Sequence, residues 1–195
     1  MIPAYLYKGF SKEKYALEFL EKGKFHLGLL EYYKYIEDDI RRDESEGQSE
    51  SIVKKYLPDF TLHLKGTQIN PLYLFCTFGP TADLGYIKAK WPYVVKITDP
   101  QKLKKSLNDK KPVNTKMETV GKCKIERVRY TKWEAVDIDP DSIEAVRLSY
   151  TQKPRSYEKE CEFRYIVTTL PPVNHKPDMF IEYNLGNKID YASFI

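Results

Sequence analysis

Residues 72–78 read LYLFCTF, a run that is apolar or aromatic at every position except Thr77. In a strand, successive side chains point to opposite faces, so this run is apolar on both faces. Strands of this kind lie in the middle of a sheet that is covered on both sides. The run therefore predicts a central, buried strand around which the rest of the fold is arranged.

Further strand-like segments precede and follow this run, separated by glycine, proline and polar stretches typical of turns. They are Ala4–Lys8, Lys24–Gly28, Phe60–Leu64, Tyr93–Thr98, Cys123–Tyr130, Glu144–Leu148, Glu160–Thr169 and Phe180–Tyr183. Together with helical segments near the start of the chain, they predict an α+β fold with a mostly antiparallel β-sheet core and N-terminal helices. The length of 195 residues suits a single domain, residues 1–195.

Three segments carry helix signals. Ser11 is a residue type favoured at a helix N-cap, and Gly23 is favoured just past a helix end. Residues Leu29–Glu37 repeat apolar side chains at helical spacing. Asp99 followed by Pro100 predicts the start of a short helix, with aspartate as the cap and proline in the first turn.

Composition excludes several classes of protein. The 32 Lys and Arg residues against 28 Asp and Glu give a formal net charge of +4, too small a bias to indicate nucleic acid. The three cysteines and three histidines are isolated, so neither a disulfide framework nor a metal site is predicted. No apolar run approaches the roughly 20 residues that span a bilayer. We expect a soluble, cytoplasmic protein that uses no metal and does not engage a membrane.

The segment at residues 157–167, YEKECEFRYIV, combines strand alternation with an unusual density of charge. Alternation places Glu160, Glu162 and Arg164 on one face and the intervening apolar residues on the other. Two carboxylates two positions apart lie roughly 7 Å from each other, near enough to act on one ligand. One carboxylate could bond a ribose hydroxyl or stabilise an oxocarbenium ion while the other orients a nucleophile. The alternative is a solvent-facing charged strip in which Glu162 pairs with Arg164.

Five more residues are candidates for binding a cofactor, and one of them is Arg164 of the segment just described. Arg42 lies in the polar segment Asp38–Ser51, where a guanidinium could pair with phosphate or simply with neighbouring acids of an exposed loop. Tyr7 and Lys8 could present a phenol and an ammonium to a phosphate, or belong to an ordinary edge strand. Thr77 places a hydroxyl near the end of the apolar run, in a binding role or a structural one.

In order and spacing, four motifs resemble those of a bacterial and phage family of uncharacterised domains. The family has a Tyr-Lys strand, an acidic segment ending in Glu-Gly, a Leu-Phe-Cys strand and a late Glu-x-Glu-x-Arg strand. Here these are Tyr7–Phe10, Arg42–Gly47, Leu74–Phe78 and Glu160–Arg164. The tryptophan-rich helix that usually follows the third motif is missing, and Trp91, followed by a proline, does not replace it.

The same order of parts is similar, more distantly, to the ADP-ribosyltransferase superfamily. This resemblance implies NAD bound in a sheet cleft, with Lys8 at a phosphate or ribose and Thr77 framing the nicotinamide pocket. It implies that Glu162 bonds the ribose hydroxyl and supports an oxocarbenium-like transition state, while Glu160 positions the acceptor. The implied function is NAD handling or ADP-ribosyl transfer in a conflict of phage with host, or of toxin with cell.

Two other functions remain open from the sequence. The protein could be a non-enzymatic inhibitor that binds a host or defence protein through the segment Asp38–Ser51 and exposed aromatic residues. It could also bind nucleic acid through a set of lysines, which would make its affinity fall steeply with salt. Those lysines are Lys102, Lys104, Lys105, Lys110 and Lys111, with neighbouring lysines around Lys116–Lys124. Because no stripe of arginine and aromatic residues accompanies them, nucleic acid is the partner that the sequence favours least.

Overall fold

A computed structural model describes residues 1–30, 49–53, 62–66, 71–113, 119–131, 151–170 and 177–195. The helices in this part of the chain are α1 (Glu13–Lys22), α2 (Leu84–Lys90) and α3 (Pro100–Asp109), with a 3-10 helix at Arg155–Glu160. The strands are β1 (Leu6–Phe10), β2 (Lys24–Leu29), β3 (Ser49–Val53), β4 (Leu62–Gly66), β5 (Leu72–Phe78), β6 (Tyr93–Ile97), β7 (Thr119–Val120), β8 (Lys124–Arg127), β9 (Arg129–Thr131), β10 (Gln152–Pro154), β11 (Glu162–Leu170), β12 (Phe180–Asn184) and β13 (Ala192–Phe194). Among the described helices, none has the length and apolar character needed to cross a membrane.

A nine-stranded sheet forms the centre of the fold, and β5 lies in its middle. The strand β11 runs antiparallel along the whole of β5, from Glu162 opposite Phe78 to Thr168 opposite Leu72. Beyond these two strands, β6 and β13 extend the sheet from β1, β12 extends it from β2, and β7 and β8 pair with β11. The predicted α+β fold with a mostly antiparallel sheet is confirmed, as is the central, buried position of residues 72–78.

The second edge of β5 is shared by two strands that diverge from each other. The strand β1 meets it at one end, where Tyr7 lies opposite Phe78. The strand β2 meets it at the other end, where Gly28 lies opposite Leu74. Among the described strands, the residues between these two contacts pair with β11 only. The sheet is therefore split at this edge, opposite Cys76.

The main core lies on the sheet face that α1 and α3 cover, and it is rich in aromatic rings. The Phe25 ring lies 5.3 Å from that of Phe19 on α1 and 5.0 Å from that of Phe75 on β5. The Phe75 ring also lies 5.9 Å from that of Tyr165 on β11. Buried aromatic pairs at these separations add to the stabilisation from area burial. Phe75 thus joins the helix to the central strands directly beside the split.

The helix signals are partly confirmed. Gly23 ends α1 in the left-handed conformation, with φ 60°, and its N–H donates to the Phe19 carbonyl. Asp99 caps α3 by accepting the Lys102 N–H at 2.9 Å. The Ser11 cap is wrong, because α1 begins after Lys12 and has no side-chain cap.

Other predicted boundaries need correction. The strand predicted from Glu160 begins at Glu162, because Glu160 belongs to the 3-10 helix and Cys161 turns the chain with φ 44°. Leu29 ends strand β2 instead of starting a helix, and the rest of the helix predicted to Glu37 lies almost wholly outside the described residues. The end of the predicted loop 38–51 is strand, since Ser49 begins β3, and residues 38–48 lie outside the described part. The strand predicted at 144–148 also falls there.

Candidate functional site

The split between β1 and β2 opens into a cleft of about 290 Å³. Its aromatic lining includes Phe10, Tyr15, Phe75, Phe78, Trp91 and Tyr157. Its charged lining consists of Lys8, Glu18, Lys24, Lys153, Glu160 and Glu162. A concave site with aromatic walls and a few convergent polar groups is the usual form of a small-molecule site. The split sheet thus brings together around one cleft Lys8 of β1, Glu160 of the 3-10 helix and Glu162 at the start of β11.

The two predicted carboxylates lie together in this cleft and are held by cations. Glu162 accepts a hydrogen bond from Arg164 Nε at 2.8 Å, and its other oxygen lies 2.7 Å from Lys153 Nζ. The Glu160 carboxylate lies 3.4 Å from Lys90 Nζ and 3.4 Å from Lys153 Nζ. Glu160 and Glu162 are only 4% and 1% exposed, so the solvent-facing strip is wrong, although the Glu162–Arg164 pair it assumed is present.

Glu162 is ionised because of these partners. Burial by itself raises the pKa of a carboxyl group, since it disfavours the charged form. The positive charges of Arg164 and Lys153 outweigh burial and hold the pKa of Glu162 well below its usual range. Such a group is a poor proton acceptor but a strong acceptor of hydrogen bonds from ligand hydroxyls. Glu162 therefore suits the binding of a hydroxyl or the stabilisation of positive charge.

The backbone at the start of β11 is fixed from several directions. The Glu162 N–H donates to Tyr130 Oη at 2.7 Å, and the Glu162 carbonyl accepts the Val128 N–H at 2.9 Å. Cys161 has a φ of 44°, a left-handed backbone conformation that residues other than glycine seldom adopt. This turn brings Glu160, at the end of the 3-10 helix, to the same cleft as Glu162. Strained backbone of this kind is characteristic of functional sites.

Lys8 occupies the gap that the diverging strands leave. Its Nζ donates to the Cys76 carbonyl at 2.9 Å, where a neighbouring strand would otherwise bond. The same atom lies 4.6 Å from the centre of the Phe75 ring and 5.7 Å from that of Phe10. Burial lowers the pKa of the Lys8 amine, against the weaker opposing influence of Cys76 and Glu162. Lys8 thus lines the cleft and also satisfies the backbone carbonyl that the split leaves without a strand partner.

The other predicted binding residues lie elsewhere. Tyr7 points to the opposite face of β1, into a small apolar cluster with Ile87 and Val94. Thr77 is fully buried and donates its hydroxyl to the Phe163 carbonyl at 2.8 Å, which is the structural role left open for it. Arg164 is fully buried and reaches the cleft through Glu162 rather than lining it. Arg42 lies outside the described residues.

Sequence reasoning missed Lys153, Trp91 and Tyr157. Lys153 lies on β10, opposite Tyr130 of β9. These two strands are far apart in the sequence. Trp91 packs against Gly9 of β1, where an added Cβ would meet the Trp91 Cβ at 2.6 Å. A glycine inside a strand often marks a close approach of another chain segment, so Gly9 was an available signal for Trp91. No comparable signal exists for Lys153.

Replacing Gly9 with alanine should deform this wall of the cleft. The new methyl group would overlap Trp91 at its Cβ and Cγ, atoms that cannot move without the backbone of the segment after α2. We expect the free energy of unfolding to fall by about 1–3 kcal/mol, as for other overpacked sites. Urea denaturation followed by tryptophan emission measures this loss. Gly186→Ala is the control for a glycine with free space around it, because no atom lies within 4 Å of an added Cβ there. Its cost comes from the φ of 77°, which strains alanine, and not from overlap. The overlap at Gly9 would be contradicted if both variants lost the same free energy of unfolding and Gly9→Ala left the native tryptophan emission unchanged.

Comparison with protein-family models, with curated proteins and with solved structures found no match to this chain. Within the part of the chain that the structure describes, no group of three or more His, Cys, Asp or Glu side chains is placed to hold a metal ion.

Proposed function

We propose that the cleft binds NAD and that the protein has an ADP-ribosyltransferase-like activity, acting in the cytoplasm in a conflict of phage with host or of toxin with cell. The observation that carries this proposal is the ionised Glu162 beside Glu160 in an aromatic-lined cleft where the sheet splits. The distant likeness to the ADP-ribosyltransferase superfamily, carried by Lys8, Thr77 and the Glu160/Glu162 pair, supports the choice of NAD as the substrate.

The chemistry of glycosidic cleavage matches these two carboxylates. When the bond between ribose and nicotinamide breaks, its electrons leave with nicotinamide and positive charge develops at the anomeric carbon. The Glu162 carboxylate accepts a hydrogen bond from a ribose hydroxyl and stabilises that charge. A nucleophile then attacks the anomeric carbon, and its proton passes to Glu160, whose contacts at 3.4 Å hold it less tightly than those of Glu162.

The remaining lining suits the other parts of the ligand. The Trp91 and Tyr157 rings offer faces on which a nicotinamide or adenine ring can stack. Lys24 and Lys153 supply positive charge for the pyrophosphate. A volume of about 290 Å³ suits the nicotinamide ribose half, with the remainder of the dinucleotide at the mouth of the cleft.

Glu160→Gln is the variant that best tests catalysis, because Glu162 is also part of a buried ion cluster. NAD binding is measured by calorimetry and by intrinsic tryptophan emission, and turnover by release of free nicotinamide. We expect saturable binding in both proteins and a loss of about 10²–10⁴ in nicotinamide release, the range for a group that transfers a proton. Glu158→Gln is the matched control, since Glu158 is an exposed glutamate of the same 3-10 helix and does not line the cleft.

Two outcomes would overturn the proposal. One is the absence of heat and of thermal stabilisation at about 1 mM NAD, the upper end of ordinary KM values. The other is a loss of nicotinamide release in Glu158→Gln equal to that in Glu160→Gln. In either case a search for a protein partner, the non-enzymatic alternative, becomes the next step.

A further inference from the structure

Lys8 is partly buried and differs from the other described cations at the carboxylates of the cleft in having no acidic partner among the described residues. Arg164 pairs with Glu162, and both Lys90 and Lys153 pair with Glu160. Among the described residues, none provides a carboxylate oxygen within 4.0 Å of Lys8 Nζ, whose hydrogen bond goes to the neutral Cys76 carbonyl. A buried ammonium without an ion pair is unfavourable, so this position favours the neutral amine.

The neighbouring groups do not offset this preference. The negative charge of Glu162 favours the protonated form of Lys8, but less strongly than burial disfavours it. Both carboxylate oxygens of Glu162 are already engaged by Arg164 and Lys153. Cys76, on the cleft floor, stays a neutral thiol because burial raises its pKa far above the usual range. The rings of Phe75 and Phe10 attract a cation only modestly. A neutral lysine that lines an open cleft is a nucleophile, as in lysines that form imines.

We propose that Lys8 is a carbonyl-reactive residue and that the cleft takes a hydroxylated aldehyde, an open-chain sugar, as an imine on its Nζ. The hydroxyl groups of such a ligand match the Glu160 and Glu162 carboxylates, which accept hydrogen bonds. The aromatic lining covers the carbon chain and excludes water from the bond. This inference goes beyond NAD binding and does not depend on it.

The reaction needs no oxidant or reductant. The nitrogen lone pair of Lys8 attacks the aldehyde carbon, and the π electrons of the carbonyl move to its oxygen. A proton passes from nitrogen to that oxygen, which gives a carbinolamine. The hydroxyl group then takes a proton from solvent and leaves as water, while the nitrogen lone pair forms the C=N bond. The protonated imine is a cation, and the Glu162 carboxylate stabilises it across the cleft.

The test is reductive trapping with D-glyceraldehyde, the shortest open-chain sugar, and cyanoborohydride, followed by peptide mass spectrometry. Lys96 is the internal control, because it lies on the neighbouring strand β6, is partly buried over the Tyr5 ring at 4.2 Å, and does not line the cleft. We expect Lys8 to be labelled about tenfold or more faster than Lys96 at neutral pH, because burial lowers the pKa of the Lys8 amine and so raises its neutral fraction.

Labelling of Lys8 at or below the rate of Lys96 would overturn the proposal, whether or not NAD binds. Because both lysines are compared in the wild-type protein, the test does not require a variant that folds. A Lys8→Met protein that folds should lose the cleft label and keep the Lys96 label. Retention of the label on the peptide that carries position 8 would mean that the assignment to Lys8 is wrong. NAD titration of the wild-type protein reports separately on the proposed transferase activity.

Discussion

Replacing Arg164 with methionine is expected to lower the free energy of unfolding by about 3–5 kcal/mol, the cost of breaking a buried ion pair. The Arg164 side chain is fully buried, and its Nε donates to Glu162 at 2.8 Å. Methionine fills much of the same space, so the loss comes from the Glu162 carboxylate, which keeps Lys153 but loses its buried partner. Urea denaturation followed by circular dichroism measures the change.

A double-mutant cycle separates charge from packing. When Glu162→Gln accompanies Arg164→Met, no unpaired carboxylate remains beside position 164, and the double variant should be more stable than the sum of the single losses predicts. We expect a coupling of about 1–3 kcal/mol, typical of contacting residues in one ion network. Strict additivity would show that the two side chains do not depend on each other and would contradict the ion-pair account.

Phe75→Ala is expected to cost about 3–5 kcal/mol, the usual range for truncating a buried aromatic residue. Phe75 is 3% exposed, and its ring contacts those of Phe19, Phe25 and Tyr165. It also forms part of the cleft floor beneath Lys8, so its removal joins the cleft to a new cavity in the core. Thermal and urea unfolding measure the loss of stability.

Phe194→Ala is the matched control for this prediction, because Phe194 lies on the outermost strand β13 and is 42% exposed. Its loss should stay within about 0.5 kcal/mol, as for most surface substitutions. A similar cost for both phenylalanines would mean that the aromatic cluster at Phe75 does not carry the stability assigned to it. Phe75→Leu should recover part of the loss, since leucine refills some of the cavity.

Local patterns in the sequence identified much of the fold. The apolar run at 72–78 became the central strand, and alternation after Cys161 placed Glu162 and Arg164 on one face. Gly23 ended α1 because glycine adopts the left-handed conformation at that point without the strain that a side chain brings. Strand periodicity and backbone preference act over a few residues, so they can be read without knowledge of what lies nearby in space.

Contacts between distant segments decided the character of the site. Whether the Glu162 face met solvent or the interior depended on Lys153 of β10 and on the 3-10 helix before β11, which no pattern within residues 157–167 reveals. The cleft exists because β1 and β2 meet different ends of β5, and Trp91 closes one wall because Gly9 has no side chain. Alternation tells which residues share a face, but burial depends on what covers that face. Burial in turn determines the ionisation of Glu162 and Lys8, so the chemistry proposed for the cleft follows from the three-dimensional arrangement.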